Sequence, residues 1–203
     1  MIRALLLRRP IAQGLVSKQT RRFISNYYEL FPETFPNKDP QWQIDQSKLR
    51  KEYRSLQAEV HPDKLNQRAI VNGDSDKSSL LNKAYHTLKD PLTRSQHLLQ
   101  VLKDIDLTVD SVAREVTQMD PDLLMEVLEV HEQLMEASKR EEVKAIEKEN
   151  KARIEQIESE LASCYENNDL DKAVNLTAGL KYWKNVAVAI KDWSPGKTIE
   201  LQH

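Results

Sequence analysis

Cysteine occurs once in the 203 residues, as Cys164, which excludes an internal disulfide and any all-cysteine metal site. Glycine occurs four times, and few stretches alternate β-branched with polar residues, so there is little material for hairpins. Glu, Lys, Leu, Gln and Ala abound instead, and the chain reads as all-α. The apolar stretch Ala4–Leu7 is far too short to cross a bilayer, which needs about 20 residues, and no other stretch reads as a span. A dominant charge is missing too: the formal net charge of -2 gives no electrostatic reason to expect nucleic acid as the partner of the whole molecule. With 39% hydrophobic and 31% charged residues, the chain has an ordinary soluble composition and enough length for one or two domains with a real core.

Acidic residues are absent up to Glu29, whereas Arg3, Arg8, Arg9, Lys18, Arg21 and Arg22 stand before it among Leu, Ala, Ser and Thr. An Arg-rich, acid-poor leader is the composition of a mitochondrial transit peptide, expected over residues 1–25 with Arg22-Phe23-Ile24-Ser25 as the processing site. A basic arm that binds nucleic acid has the same charge and is the rival reading.

Beyond the leader, Tyr27-Tyr28-Glu29-Leu30-Phe31 reads as a short apolar helical turn closed by Pro32. Asp45 is a good N-cap for the next helix, with Ile44 and Leu49 spaced to form a hydrophobic staple. Leu49, Tyr53, Leu56 and Val60 recur at helical spacing as one buried stripe, and Lys48, Arg50, Lys51 and Arg54 lie elsewhere on the surface. This basic amphipathic helix stops at His61-Pro62-Asp63, because Pro62 disfavours the helical conformation at His61 and has no backbone donor. A polar loop is expected from Lys64 to Ser79, then a second amphipathic helix carrying Leu80, Leu81, Ala84, Tyr85 and Leu88 up to Asp90-Pro91. The two helices form a hairpin with the tripeptide at one end.

A helix is expected from Arg94 to Leu107. Asp120-Pro121 is a further start, with Asp as cap, Pro at the first helical position and Asp122 beside the helix N-terminus. At 100° per residue, Leu123, Val127, Val130 and Leu134 make one stripe and Leu124, Leu128, His131 and Met135 a second beside it. One stripe suffices for a core, and periodicity alone leaves the second equally compatible with core and with an exposed face. A long charged helix follows from Glu141 to Tyr165, its stripe interrupted by Asn150. Asn167-Asn168-Asp169 makes a turn and cap, and a last helix runs from Leu170 to about Trp193. Tyr182 falls about 200° from the core residue Leu180 on the helical wheel, which predicts exposure.

His61 and Asp63 are not a catalytic dyad: acid–base work needs a positioned partner and a pocket that excludes water, and a two-residue spacing in an exposed loop has neither. His86 and His131 have no second ligand at i+3 or i+4 and read as packing or surface residues, so no metal site is expected.

Taken together, the Tyr28–Phe31 turn, the basic helix, the His61-Pro62-Asp63 loop and the Leu81-Asn82-Lys83-Ala84-Tyr85 helix resemble the J domain of DnaJ-type co-chaperones. Leu88-Lys89-Asp90-Pro91-Leu92 followed by an acidic helical region is similar to the HscB family, the J-type co-chaperones of iron–sulfur cluster biogenesis, and the leader suits its fungal mitochondrial members. That resemblance implies an all-α, L-shaped molecule: a J domain at 26–92, a connector helix and linker at 93–118, and a C-terminal three-helix bundle at 119–203. It implies a non-enzyme without cofactors, located in the mitochondrial matrix. Such a protein binds an IscU-type scaffold, delivers it to a mitochondrial DnaK-type chaperone and stimulates that chaperone's ATPase to promote cluster transfer. Carried over residue by residue, the chaperone contact is His61, Pro62, Asp63, Arg50, Lys51 and Arg54. The scaffold contact is Leu123, Leu124, Met125, Leu128 and Tyr182, with Glu129 and Glu132 as the charged rim. Two alternatives share the first half: a general J-type co-chaperone for unfolded mitochondrial clients, and a tether at the import machinery, which would need a membrane span.

Overall fold

The computed structural model describes residues 26–60 and 74–195. His61, Pro62 and Asp63 lie outside them, as does the leader at 1–25. The described residues form a 3-10 turn, Tyr27–Leu30, and seven α-helices with no strand: α1 Gln46–Val60, α2 Asp74–Lys89, α3 Pro91–Lys103, α4 Asp110–Thr117, α5 Pro121–Glu136, α6 Arg140–Glu166 and α7 Leu170–Asp192. None of these helices is long and apolar enough to cross a membrane.

Helix α1 starts as its cap dictates: Asp45 Oδ1 accepts from the Ser47 and Lys48 amides at 2.9 and 3.0 Å. Ile44 and Leu49 both enter the first hydrophobic core. Helix α2 starts at Asp74, earlier than the polar composition predicts. Two side-chain pairings fix α1 and α2 as antiparallel. Near the middle, the Tyr53 ring stacks on Tyr85 at 4.0 Å and its hydroxyl meets Asn82 Oδ1 at 2.6 Å. One turn later in α1 and one turn earlier in α2, Gln57 Nε2 donates to Ser78 Oγ at 2.7 Å.

One residue of the charged helix face is not solvated. Glu52 is buried, and its carboxylate accepts from the Glu33 and Thr34 amides at 2.7 Å each and from the Thr34 hydroxyl at 2.6 Å. These bonds tie the segment after the 3-10 turn to α1, in a place where an unpaired charge would be strongly destabilising.

Helix α3 departs at both ends from the predicted Arg94–Leu107. It starts at Pro91 because Asp90 Oδ1 caps the Leu92 and Thr93 amides at 3.0 and 3.1 Å. It stops at Lys103 because Asp104 takes a left-handed conformation, φ 60°, which a short polar side chain tolerates. The stretch expected as linker then contains α4, a helix that sequence reading did not find. Asn150, which breaks the apolar stripe of α6, is buried and useful: its Nδ2 donates to the Trp183 carbonyl at 3.1 Å across to α7.

Helix α7 is the common wall. Helices α3, α4, α5 and α6 all pack on it, which is why Ala173, Val174, Thr177, Ala178, Gly179, Leu180, Trp183, Val186 and Ile190 are buried around most of its circumference. One core spans the J-like region, α6 and the start of α7; the second joins Val127, Val130 and Leu134 of α5 to Val143, Trp183, Val186 and Ile190. Trp193 closes that second core, donating from Nε1 to the Leu134 carbonyl at 3.0 Å.

The first core also carries a polar seam between α3 and the last two helices. Arg94, buried, donates from Nη1 to the Trp42 carbonyl at 2.7 Å and lies over the Trp42 ring at 4.7 Å. The other neighbour of that indole is the Tyr165 ring of α6, at 5.4 Å. The Ser95 hydroxyl bonds both Tyr165 and Thr177 of α7. At its edge Lys184 of α7 meets Asp90 at 2.6 Å. Burial pushes the Asp90 carboxyl up, but the Lys184 ammonium and the two capped amides outweigh it and hold the group below the usual carboxylate range.

His97 anchors the 3-10 turn from the same helix. Its Nε2 accepts from the Tyr27 amide at 3.2 Å and its ring stacks on Tyr27 at 4.4 Å, a geometry that requires the neutral imidazole. Burial lowers its pKa from 6.5 to about 4. Above pH 6.5 the folded and unfolded chains bind the same number of protons here. Below it, only the unfolded chain takes one up until the pH reaches the folded value. Stability from this site is therefore complete above pH 6.5 and falls by up to about 3 kcal/mol as the pH drops toward 4. His97→Gln keeps an acceptor for Tyr27 and cannot protonate. The stability difference between wild type and this variant, from urea unfolding, should shrink over that interval, and a constant difference would overturn the assignment.

The two stripes of α5 also separate by energy. Leu134→Ala should cost about 2–5 kcal/mol, because it empties a filled position. Leu124→Ala with Leu128→Ala should cost less than about 1 kcal/mol together, because both side chains already face water. Equal losses in the two unfolding curves would put the second stripe in the core.

Candidate functional site

Two surfaces stand out, one at each half of the chain. On α1, Lys48, Arg50, Lys51 and Arg54 are all exposed. At 100° per residue Arg50, Lys51 and Arg54 fall within an arc of about 100°, pointing away from the buried row of Leu49 and its neighbours. The helix ends at Val60, immediately before His61-Pro62-Asp63 in the sequence, which lie outside the described residues.

The second surface is on α5. Asp120 Oδ1 caps the Leu123 amide at 3.1 Å and Pro121 opens the helix, which sets the register of everything after it. Val127, Val130, His131 and Leu134 are buried. Leu124, Met125 and Leu128 are 37%, 69% and 52% exposed, and Met135 is exposed beyond them. The second stripe is thus left over from the core, His131 excepted: it packs inside, and burial lowers its pKa. Glu129 and Glu132 are exposed and, with Asp122 and Glu126, line an open depression whose apolar surface comes from Met125 and Leu128. Glu126 reaches toward Arg153 of α6 at 4.0 Å, and that guanidinium lies over the Trp183 ring at 4.3 Å. The region offers an apolar strip with a carboxylate rim, suited to holding another macromolecule. Among the described residues no three His, Cys, Asp or Glu side chains are grouped to hold a metal ion.

Two of the expected contact residues sit differently from the rest. Leu123 is half-buried against the second core, and a Cβ built on Gly179 of α7 would lie 3.6 Å from its Cδ2. It packs on a bare stretch of backbone and forms a ridge between α5 and α7. Tyr182, predicted to be exposed, is half-buried. Helix α4 covers the side of α7 turned away from Leu180: the Tyr182 and Thr117 hydroxyls are 3.4 Å apart. Tyr182 lines a pocket between α4 and α7 and has no place on the wall of the α5 depression. It lies one helical turn beyond Gly179, so the Leu123 ridge separates the two concavities.

Comparisons with known proteins agree with this division of the chain. Residues 40–97 match the family model described as the DnaJ domain, and residues 119–191 match the HSCB C-terminal oligomerisation domain. The Saccharomyces cerevisiae protein called J-type co-chaperone Jac1, mitochondrial, is 54% identical over 183 residues, 90% of this chain and 96% of its own. The human iron–sulfur cluster co-chaperone protein HscB is 34% identical over 152 residues, 74% of this chain and 63% of its own. Among solved structures, Jac1 from Saccharomyces cerevisiae superposes with a TM-score of 0.78 at 54% identity, covering 89% of this chain and all of that one. Human HscB gives 0.70 at 28% identity, covering 81% and 80%. With a J-like hairpin bearing a basic face, an α5 surface left over from its core and these relatives, the chain belongs to the HscB family of J-type co-chaperones, which serve iron–sulfur cluster biogenesis.

Proposed function

We propose that the chain holds an IscU-type scaffold on α5 and presents it to a DnaK-type chaperone of the mitochondrial matrix, whose ATPase it stimulates. The scaffold contact is Leu123, Leu124, Met125 and Leu128, with Glu129 and Glu132 at the rim and Tyr182 across the Leu123 ridge. The chaperone contact is Arg50, Lys51 and Arg54 together with His61, Pro62 and Asp63. In this reading residues 1–25 direct the chain to the matrix, 26–92 form the chaperone-facing arm, 93–118 connect, and 119–203 form the scaffold-facing arm. The observation that carries it is the exposure of Leu124, Met125 and Leu128 on a helix whose other side is fully committed to a core. An exposed apolar group of that kind on a soluble protein marks a contact surface.

The chemistry stays with the partner. The basic face steers an acidic surface toward the tripeptide, which raises the encounter rate more than the final affinity. Two modest contacts on one body raise the local concentration of scaffold at the chaperone. The relatives' description as iron–sulfur cluster co-chaperones favours a dedicated scaffold over a range of unfolded clients.

Replacing Leu124, Met125 and Leu128 together by Ala should weaken scaffold binding about 100-fold, since central apolar anchors dominate such contacts, with the circular-dichroism spectrum unchanged. Wild-type affinity in a titration with purified scaffold would refute the scaffold surface. His61→Gln should abolish stimulation of the chaperone's ATP hydrolysis and leave scaffold binding intact; stimulation at the wild-type rate would remove the tripeptide from the mechanism. Recovery of assorted unfolded proteins from a mitochondrial extract, with no scaffold among them, would favour the general co-chaperone instead.

A further inference from the structure

Between α4 and α7 lies a pocket of about 340 Å³. Its apolar lining comes from Ala113, Ala178 and the Tyr182 ring. The pocket is spanned at one end by an ion pair, Lys181 Nζ to Asp110 Oδ1 at 3.1 Å, and at the other by the Tyr182 and Thr117 hydroxyls. Both contacts bridge the two helices, and Ala113 and Ala178 are too small to fill the space between them. The concavity is therefore preformed and needs no rearrangement to accept a side chain. Arg114, exposed, stands at its rim and makes no ion pair among the described residues. Since the Lys181 and Asp110 charges offset each other, the pocket carries one surplus positive charge.

The α5 depression on the far side of the Leu123 ridge has the opposite polarity. Its lining includes Asp122, Glu126, Glu129 and Glu132. Two concavities of opposite sign, separated by one apolar ridge, can be covered together only by a partner whose own charges run in the matching order. Such an arrangement sets the orientation and excludes wrong partners more than it adds affinity.

We infer that the scaffold contact continues past α5 over Leu123 into the α4–α7 pocket, where an apolar side chain of the scaffold enters beside Tyr182 and a neighbouring scaffold carboxylate pairs with Arg114. This rests on the scaffold reading above. Continuity with the α5 contact names the occupant: Leu123 of that contact packs on Gly179, the neighbour of the pocket residue Ala178. A scaffold covering α5 therefore reaches this pocket next, with a basic surface facing the acidic depression and an acidic group facing Arg114. An apolar group fits the alanine-lined interior.

The test is equilibrium titration of full-length chain with purified apo scaffold, alongside sedimentation of the chain alone and a thermal melt. Arg114→Glu should weaken binding about 10-fold and Arg114→Lys should restore most of it, as expected for a rim charge meeting its opposite. Ala113→Leu, which fills the pocket, should weaken binding as well; if its melting temperature falls, the Arg114 pair decides alone, since that side chain faces water. Binding of Arg114→Glu at wild-type strength, while Leu124→Ala with Leu128→Ala loses it, would overturn the pocket and leave the α5 surface standing. If neither substitution changed binding, the scaffold reading itself would fall and the pocket proposal with it. A wild-type dimer in sedimentation that Arg114→Glu dissociates would assign the pocket to a second copy of this chain and overturn the proposal.

Discussion

Arg94 is buried without a direct ion pair among the described residues: a carbonyl and an indole face meet its guanidinium, and the Glu158 and Asp90 carboxylates act on it from farther away. Both belong to Trp42, whose ring lies against Tyr165. The guanidinium thus holds the chain ahead of α1 in contact with α6, and Ser95, its neighbour in sequence, bonds to α6 and α7. Bare apolar contact between the two halves would allow sliding, whereas directional bonds from consecutive residues fix one arrangement. A cation–π contact desolvated in this way is worth about 2 kcal/mol, which makes the seam a substantial part of what orients the basic face of α1 relative to the apolar strip of α5.

The same logic explains how polarity is distributed over the surface. Helix α7 is buried on most sides by α3 to α6, so few of its positions remain for contact with anything else. The exposed charge and the exposed Leu and Met lie instead on helices that pack by a single face, α1 and α5, where the opposite face is free to carry them. Tyr182 of α7 is half-buried, and it lines the pocket beside Ala113 and Ala178.

Much of the fold was legible because caps and periodicity are local. Asp45, Asp120 and Asp169 mark helix starts, and each accepts the amide bonds its position predicts. The leftover stripe of α5 was visible as a surplus, although periodicity alone did not say that Leu124 and Leu128, and not Val127 and Leu134, were the ones left out. The features that escaped are non-local. Glu52 bonds residues 18 and 19 positions away, and Arg94 bonds one 52 positions away, so nothing near them in sequence distinguishes them from surface charges. Helix α4 escaped because Val and Thr are indifferent helix formers and its N-cap, Val109, makes no side-chain bond. Its signal was the spacing of Val112, Ala113, Val116 and Thr117, and missing it also produced the error at Tyr182.

The DnaJ match ends at residue 97 and α3 runs to Lys103. A helix therefore crosses the border that the family comparison draws, with Arg94, Ser95 and His97 on one side of the cut and Leu98 and Leu99 on the other. A J domain grafted here from another protein would have to replace half of a helix and supply new partners for Tyr165 and Thr177, which lose Trp42 and Ser95. The two halves are therefore one unit in mechanical terms: a cut at the family border severs a single helix together with the side-chain bonds it carries.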